Sequence, residues 1–558
     1  MLPYLKDLST PEAAGSQGTS MDGIFPIPLP PGKWTLGGEK HEEWGEGIIR
    51  SLNWLATGSF AVGKGVPTRQ QIRLVDQLRE NMKLFDYWSQ CKIHDFDVAS
   101  FWNHKHVNTY GEEVHVAQTV RWANVDESLP KAGVAGIVPA ADLCTGGMRD
   151  FILDPERWLK PESQRAWIRP PRVMIPYEDW PEMVDGLLAR GICGIIPESK
   201  AFQVQGSPIL GGLFGVPKNE TKEDGTAILR LIMDLRPVNQ NFLPLGGDLS
   251  TLPVLSQMFQ LELHPHQDLI ISSEDIRAMF YIIGLPPVWY PYLCFERPVP
   301  RSFVPASSKE NYLLHSKVLP MGYLNSVALS QHLHRQLVSR ALKNHIATSH
   351  EIRRDRDFPR VDQYYRVYLD NFDSLFARSR NILEAGKPSL TELLQEEYLT
   401  MKVPRNEKKA VVNATAAEVQ GAWIDGQSGV CSAKSSTVAK YLLGMLDVIQ
   451  KRRASKKQLQ MLAGGLVYLF SFRRCLMSCL NDIWKFIVGC QDDRKLVPLP
   501  RKVEEELIAS FFLSSLAYMN FRSEVDPIVT ASDASETGGG SPEVQGSQFP
   551  ALKPLRHW

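Results

Sequence analysis

Apolar side chains flank a compact acidic step near residue 370: Tyr365, Val367, Tyr368 and Leu369 precede Asp370-Asn371, and Phe372, Leu375 and Phe376 follow it. The pattern predicts a β-hairpin whose turn, favoured by Asn371, presents Asp370 to a cleft. A carboxylate between Tyr368 and Phe372 is costly to bury alone, so it calls for a cation or metal beside it. A surface hairpin with a solvated aspartate is the other reading.

Residues 212–218 and 227–234 predict two strands around a polar turn, from which Lys218 and Arg230 project. Either the pair neutralises phosphate, Arg230 with a planar fork and Lys218 as a point charge, or both are ordinary strand-end cations. Residues 268–275 predict a buried strand ending in acid, which puts Asp275 where a carboxylate can face a cleft. The chain turns over 276–280. A Gly-bearing loop at 319–326 opens a helix from about 327 to 343, with Asn325 or Ser326 as its cap. Leu329, Leu333, Leu337 and Ala341 give that helix an apolar stripe, and Gly322 lets the backbone approach a partner closely. Asp179 is a candidate cap for a helix through Met183, Val184, Leu187 and Leu188 that stops at Gly191. Capping boxes at Ser389/Glu392 and Ser455/Gln458 start two more helices, and a further one is predicted over 436–453. Residues 417–424 read as one strand. Ile48, Ile49, Leu52, Leu55, Ile72, Leu74, Leu78, Met82 and Leu84 recur at helical spacing.

Composition narrows the class. A chain of 558 residues, 43% hydrophobic and 22% charged, is long enough for several domains with sizeable cores. Its 62 basic residues balance 62 acidic ones, so affinity for nucleic acid must come from local clusters. One such block spans 434–474, where Lys434, Lys440, Lys451, Arg452, Arg453, Lys456, Lys457, Arg473 and Arg474 face a single acid, Asp447. It reads as a polyanion surface or as a solvated helix face. The eight cysteines form no Cys-x-x-Cys pair, which suits a reducing compartment. With no signal-peptide core and no apolar run approaching the ~18–20 residues of a membrane span, the expectation is a soluble intracellular protein without a membrane partner. His94, His104, His106 and His115, with Glu112 and Glu113, match no zinc spacing.

Taken in order, segments within 168–500 resemble the reverse transcriptases of eukaryotic retroelements. Val216-Pro217-Lys218 with Arg230, Asp234, Arg236 and Asn239 is similar to the fingers motif. Asp275 with Phe280 five residues on is similar to the first palm motif. Leu319, Pro320, Gly322, Asn325, Ser326 and Gln331 resemble the second. Tyr368-Leu369-Asp370-Asn371 resembles the Tyr-x-Asp-Asp box, and Lys408 or Lys409 and then Gly421 resemble the two motifs that close the palm.

The resemblance implies an α+β fold, a right-hand polymerase of fingers, palm and thumb with an antiparallel palm sheet, and a mostly helical N-terminal region. The division it suggests is a flexible lead at 1–35, an N-terminal region of unknown role at 36–167, fingers and palm at 168–430, a helical thumb at 431–504, and a connection with a partial ribonuclease-H-like segment at 505–558. It implies RNA-directed DNA synthesis on an RNA or DNA template with a primer, from deoxynucleoside triphosphates. Asp275 and Asp370 would hold two Mg²⁺ ions (or Mn²⁺) ~3.5–4 Å apart. Lys218 and Arg230 would hold the triphosphate, and Phe280 would lie under the sugar. Gly322, Asn325 and Gln331 would position template and incoming base, and Lys409 (or Lys408) would act as general acid. Lys451, Arg452, Arg453, Lys456 and Lys457 would grip the duplex phosphates. The chain departs from the family at Asn371, which replaces the second Asp of the box and removes one negative charge from the site. That change motivates a rival expectation, an inactive nucleic-acid-binding relic of the same fold. Residues 528–540 resemble the first strand of a ribonuclease-H-like domain with Asp533 as its first ligand. With 18 residues after Gly540, no RNA cleavage is expected.

Overall fold

The β-branched and aromatic runs around the two acidic steps form adjacent strands of one sheet. In the computed structural model of the chain the described residues are 24–30, 39–89, 98–103, 117–380 and 389–523, with four short strands between 528 and 545. His94, His104, His106, His115, Glu112 and Glu113 lie outside them. The fold mixes helices with antiparallel sheets and divides into two units. One comprises Glu113–Gln257 with His266–Ala417, and the other Met1–Glu112 with Met258–Pro265 and Glu418–Trp558.

The first unit holds a two-stranded ribbon, β1 (Gly212–Thr221) and β2 (Ala227–Asp234), in which Val216 faces Arg230. Its central sheet has four strands: β3 (Gln267–Asp275), β4 (Gln363–Tyr368), β5 (Asn371–Ser379) and β6 (Val411–Ala414). They are ordered β4-β5-β3-β6, with every neighbour antiparallel. The β4–β5 connection is the two residues Leu369 and Asp370, the shortest hairpin loop. After β3, Ala278 takes a left-handed φ of 54° and turns the chain into a short helix, Met279–Ile282.

One side of the sheet is covered by α1 (Ser326–Leu342) and α2 (Leu390–Thr400). Leu329, Leu333 and Leu337 of α1 pack in one core with Val367, Phe372, Leu394 and Tyr398. At ~25 cal/mol per Å² of apolar surface removed from water, this seam contributes strongly to holding the hairpin in place. The Ser389 capping box forms as the sequence predicts. Asn325 sits at the N-cap of α1 but makes no capping bond. Trp180–Ala189 likewise starts without a side-chain cap from Asp179 and ends before Gly191, whose φ is +72°.

In the second unit, helices Ser435–Lys451 and Lys456–Phe470 carry Lys440, Lys451, Lys456 and Lys457 of the basic block, Arg452 and Arg453 lie in the connection between them, and the Ser455 capping box starts the latter. Residues 39–89 and 98–103 pack in this unit. Trp44 meets Phe511 at 4.9 Å and Phe512 at 5.3 Å, Phe101 meets Tyr441, and Trp102 donates to Asp447 Oδ2 at 3.0 Å. The stretch read as one strand over 417–424 is two, Ala416–Val419 and Ala422–Asp425, because Gln420 and Gly421 both take positive φ and reverse the chain. Near the C-terminus Ile528–Thr530 pairs with Glu543–Gln545, and Asp533–Ala534 with Gly539–Gly540. No helix among the described residues is long and apolar enough to cross a membrane.

Candidate active site

Asp275 ends β3 and Asn371 begins β5, and the two are direct cross-strand partners. Asp370 immediately precedes Asn371 in the hairpin turn, and its carbonyl accepts the Ile276 N–H at 2.8 Å. Two carboxylates far apart in sequence are thereby brought to one end of the sheet. The polar line continues behind them on the same face. Arg366 Nε donates to Asp373 Oδ2 at 2.6 Å and Ser273 Oγ to Asp373 Oδ1 at 2.7 Å, all three residues being buried.

Each carboxylate has an amide partner. Asn406 Nδ2 donates to Asp275 Oδ1 at 3.1 Å, and Asn371 Nδ2 donates to Asp370 Oδ1 at 3.2 Å. Lys409 Nζ reaches Asp275 Oδ2 at 3.5 Å while remaining 66% exposed. Of the two lysines left open by the sequence, Lys409 is therefore the one at the site. The segment around these residues is fixed to β3: Arg277 N–H donates to the Pro404 carbonyl, Asn406 N–H to the Asp275 carbonyl, and Ile276 bridges Arg405. Arg405 also pairs with fully buried Glu274, at 2.7 Å to Oε1 and 2.9 Å to Oε2. Sequence reasoning missed Arg405 and Asn406. Their signal lies only in the register that sets them beside 274–275.

Burial, and then the neighbouring Asp275 charge, push the Asp370 carboxyl above its ordinary range; Lys409 and Arg230 act in the opposite direction. Among the described residues no group of three or more His, Cys, Asp or Glu gathers as a metal centre. The donors at hand are nevertheless all hard oxygens, and two like charges held close are the condition a divalent cation relieves. The residues fit Mg²⁺ or Mn²⁺ on that ground.

The turn itself is clamped from α1. Leu369 takes φ +52° at the first loop position, a left-handed conformation that costs a non-glycine residue roughly 1–2 kcal/mol. Gln331 Oε1 accepts its N–H at 2.9 Å, and His334 Nδ1 meets its carbonyl at 2.5 Å. A carbonyl only accepts, so Nδ1 carries the proton and Nε2 accepts from the Tyr398 hydroxyl at 2.6 Å. Burial pushes the His334 pKa down to about 4, which keeps the ring neutral.

Other expected site residues have contacts of their own within the chain. Gln331, expected at the template or incoming base, is fully buried and also donates to the Val367 carbonyl and Thr251 hydroxyl. Asn325, expected there too, is buried with its amide spent on Leu245 N, the Leu243 carbonyl and the Tyr323 hydroxyl. Neither presents an edge to a base; both hold backbone. The close approach at Gly322 is internal, since a Cβ there would strike the Met233 carbonyl of β2. Phe280 is half-buried against the core. Arg230 is exposed on β2 and near enough to act on Asp370, while Lys218 lies just past Pro217, where the ribbon register shifts.

The basic block is less bare than its sequence window. Lys434 pairs with Glu418 at 2.7 Å, Lys451 with Asp447 at 2.8 Å, Arg452 with Glu504 at 3.1 Å and Lys456 with Asp493 at 3.1 Å. Arg453 donates to the Leu496 carbonyl, and the backbone N–H of Lys457 to that of Asp493. Three of those acids lie outside 434–474, so no local charge count reveals them.

No protein-family model matches this sequence, and no curated protein does. Among solved structures the chain is similar to a foamy viral protease-reverse transcriptase in complex with double-stranded DNA, at a TM-score of 0.41 and 14% identity. That alignment covers 93% of this chain and 68% of the other. At this distance the likeness carries no part of the functional reading, which stands on the site.

Proposed function

We propose that the chain is a nucleotidyltransferase of the reverse-transcriptase type, extending a primer on an RNA template from deoxynucleoside triphosphates. The observation that supports it most is the register pair Asp275–Asn371, which sets Asp370 beside Asp275 at the end of the sheet where Lys409 stands exposed. In this reading β3–β6 form the palm, the β1–β2 ribbon belongs to the fingers, and the helices over 435–470 belong to the thumb.

Asp275 and Asp370 would hold the divalent ions, which when bound lower the barrier to in-line displacement by stabilising the attacking and leaving oxygens. Around that centre each residue has its own task. Arg230 and Lys218 neutralise the triphosphate tail, Arg230 with the geometry for bidentate contact. Phe280 lies under the sugar and excludes a 2′-hydroxyl. Lys409, exposed and within reach of Asp275, carries a proton to the departing pyrophosphate. Asn406 keeps Asp275 oriented, so its second oxygen faces the reacting centre. The basic helices hold duplex phosphates without reading sequence; the Lys434–Glu418 pair, exposed on both sides and worth about 0–1 kcal/mol, does not bar that exchange of partners.

Primer extension on RNA and DNA templates side by side tests the assignment. Synthesis should be metal-dependent and should vanish in Asp275→Asn and Asp370→Asn; product formation surviving both changes would remove the mechanism. A second reading, a binding protein without synthesis, is favoured by one contact: Asn371 turns its N–H side, not its amide oxygen, toward Asp370. That reading predicts salt-sensitive binding of primer–template with no extension at any Mg²⁺ or Mn²⁺ concentration.

A further inference from the structure

A buried hydrogen-bonded clamp behind the Asp370 turn includes a residue outside the expected motif set, His334. Both polar groups of Leu369 are taken by one helix: its N–H by Gln331 and its carbonyl by His334. Residues three apart lie on one helix face, so α1 presents an acceptor and a donor side by side to a single residue of the turn. His334 is fully buried, and Tyr398 from α2, also fully buried, closes its other nitrogen. The tautomer is thus set by the Leu369 carbonyl, the donor is delivered from α1 with its other nitrogen satisfied from α2, and the recipient is the peptide linking Leu369 to Asp370.

We infer that His334 is a positioning residue for Asp370, holding the left-handed Leu369 turn from which that carboxylate projects. The inference rests on the polymerase reading for its effect on metal and catalysis, but the clamp itself is independent of it. A side chain anchoring the backbone on which a ligand stands acts as a metal's outer shell does, where removal typically costs 10- to 100-fold in affinity or activity.

His334→Leu alone strands the Tyr398 hydroxyl in the core, so the informative variant is His334→Leu/Tyr398→Phe, which removes both ends of that bond at nearly constant volume. His334→Asn is the rescue, because its amide nitrogen stands near the position of Nδ1. Amide hydrogen exchange over 365–375 reads the clamp, Mn²⁺ titration followed by electron paramagnetic resonance reads the ligand site, and primer extension reads turnover. The double variant should fold, exchange the 369–371 amides at least roughly tenfold faster, bind Mn²⁺ roughly 10- to 100-fold more weakly, and lose kcat at unchanged KM for primer–template. The Asn variant should recover most of each. Unchanged exchange at the turn would overturn the inference, as would faster exchange with Mn²⁺ affinity intact. If the parent chain shows neither Asp370-dependent Mn²⁺ binding nor extension, the polymerase reading falls, and the exchange data alone decide whether His334 holds the turn.

Discussion

Replacing Asn371 by Asp restores the charge that the Tyr-x-Asp-Asp pattern contains, and the sheet register gives the cost of doing so. Direct cross-strand partners have Cβ atoms about 5 Å apart, and Asp275 is the partner of residue 371. Two unit charges at about 5 Å with an effective dielectric of about 20 repel by roughly 3 kcal/mol. The substitution also turns a donor to Asp370 Oδ1 into a second acceptor. In EDTA, Asn371→Asp should therefore lose about 3 kcal/mol against the parent in urea unfolding, or retain a proton on a carboxyl pushed upward by its neighbour. Either way the sign is fixed: a raised carboxyl destabilises more as pH rises, so the deficit should be larger at pH 8 than at pH 5. Mg²⁺ should reverse it, because a ligand at 100 times its Kd adds about 2.7 kcal/mol and the variant should bind the ion more tightly. Asn371→Asp/Asp275→Asn should be close to neutral in EDTA. A single variant as stable as the parent in EDTA, with the same response to Mg²⁺, would show that the side chain at 371 does not face Asp275.

Three further outcomes follow from the same contacts. His334, held at a pKa of about 4 against an ordinary 6.5, binds no proton when folded over a range where the unfolded chain does; stability should fall by about 3 kcal/mol between pH 6.5 and 4, and His334→Leu/Tyr398→Phe should flatten that slope in urea titrations. Buried His315, pushed down to about 4 by burial, adds a loss of the same sign that the double variant leaves in place. Arg405→Met leaves the Glu274 charge buried with only the Gln395 amide as donor and should cost roughly 3–5 kcal/mol in urea unfolding, while adding Glu274→Gln should recover a large part; a cost under 1 kcal/mol would mean the pair is not sealed. Lys457→Ala should lower the slope of log K against log salt for duplex binding by about one, with an unchanged slope removing Lys457 from the phosphate contacts.

The sequence made the short-range features of this chain readable and hid the long-range ones. The hairpin around Asp370, the strand ending at Asp275 and the capping boxes at Ser389 and Ser455 depend on neighbours within a few residues, and all form. The strand over 417–424 was misread because a positive φ at Gln420 is not announced by its side chain. Gln331 and Asn325 look like polar groups ready for a base, yet their bonds go to backbone at 367–369 and at 243–245, pairings that only the packing of α1 against the sheet and of its N-terminus against the loop over 243–245 creates. Likewise Glu418, Asp493 and Glu504 temper the basic block from positions that no window over 434–474 contains.

The anchoring of 403–409 bears on the timing of a catalytic cycle. With Val403 N–H bonded to the Tyr398 carbonyl, Arg405 paired with Glu274 and Asn406 bonded twice to Asp275, the backbone beneath Lys409 is tied at three successive points. Excursions of the Lys409 ammonium between Asp275 and an incoming phosphate are then confined to rotations of its own side chain. Those occur in picoseconds to nanoseconds rather than the nanoseconds to microseconds of a loop swing. In the proposed reaction, a proton carried on that ammonium would arrive without any wait for the main chain.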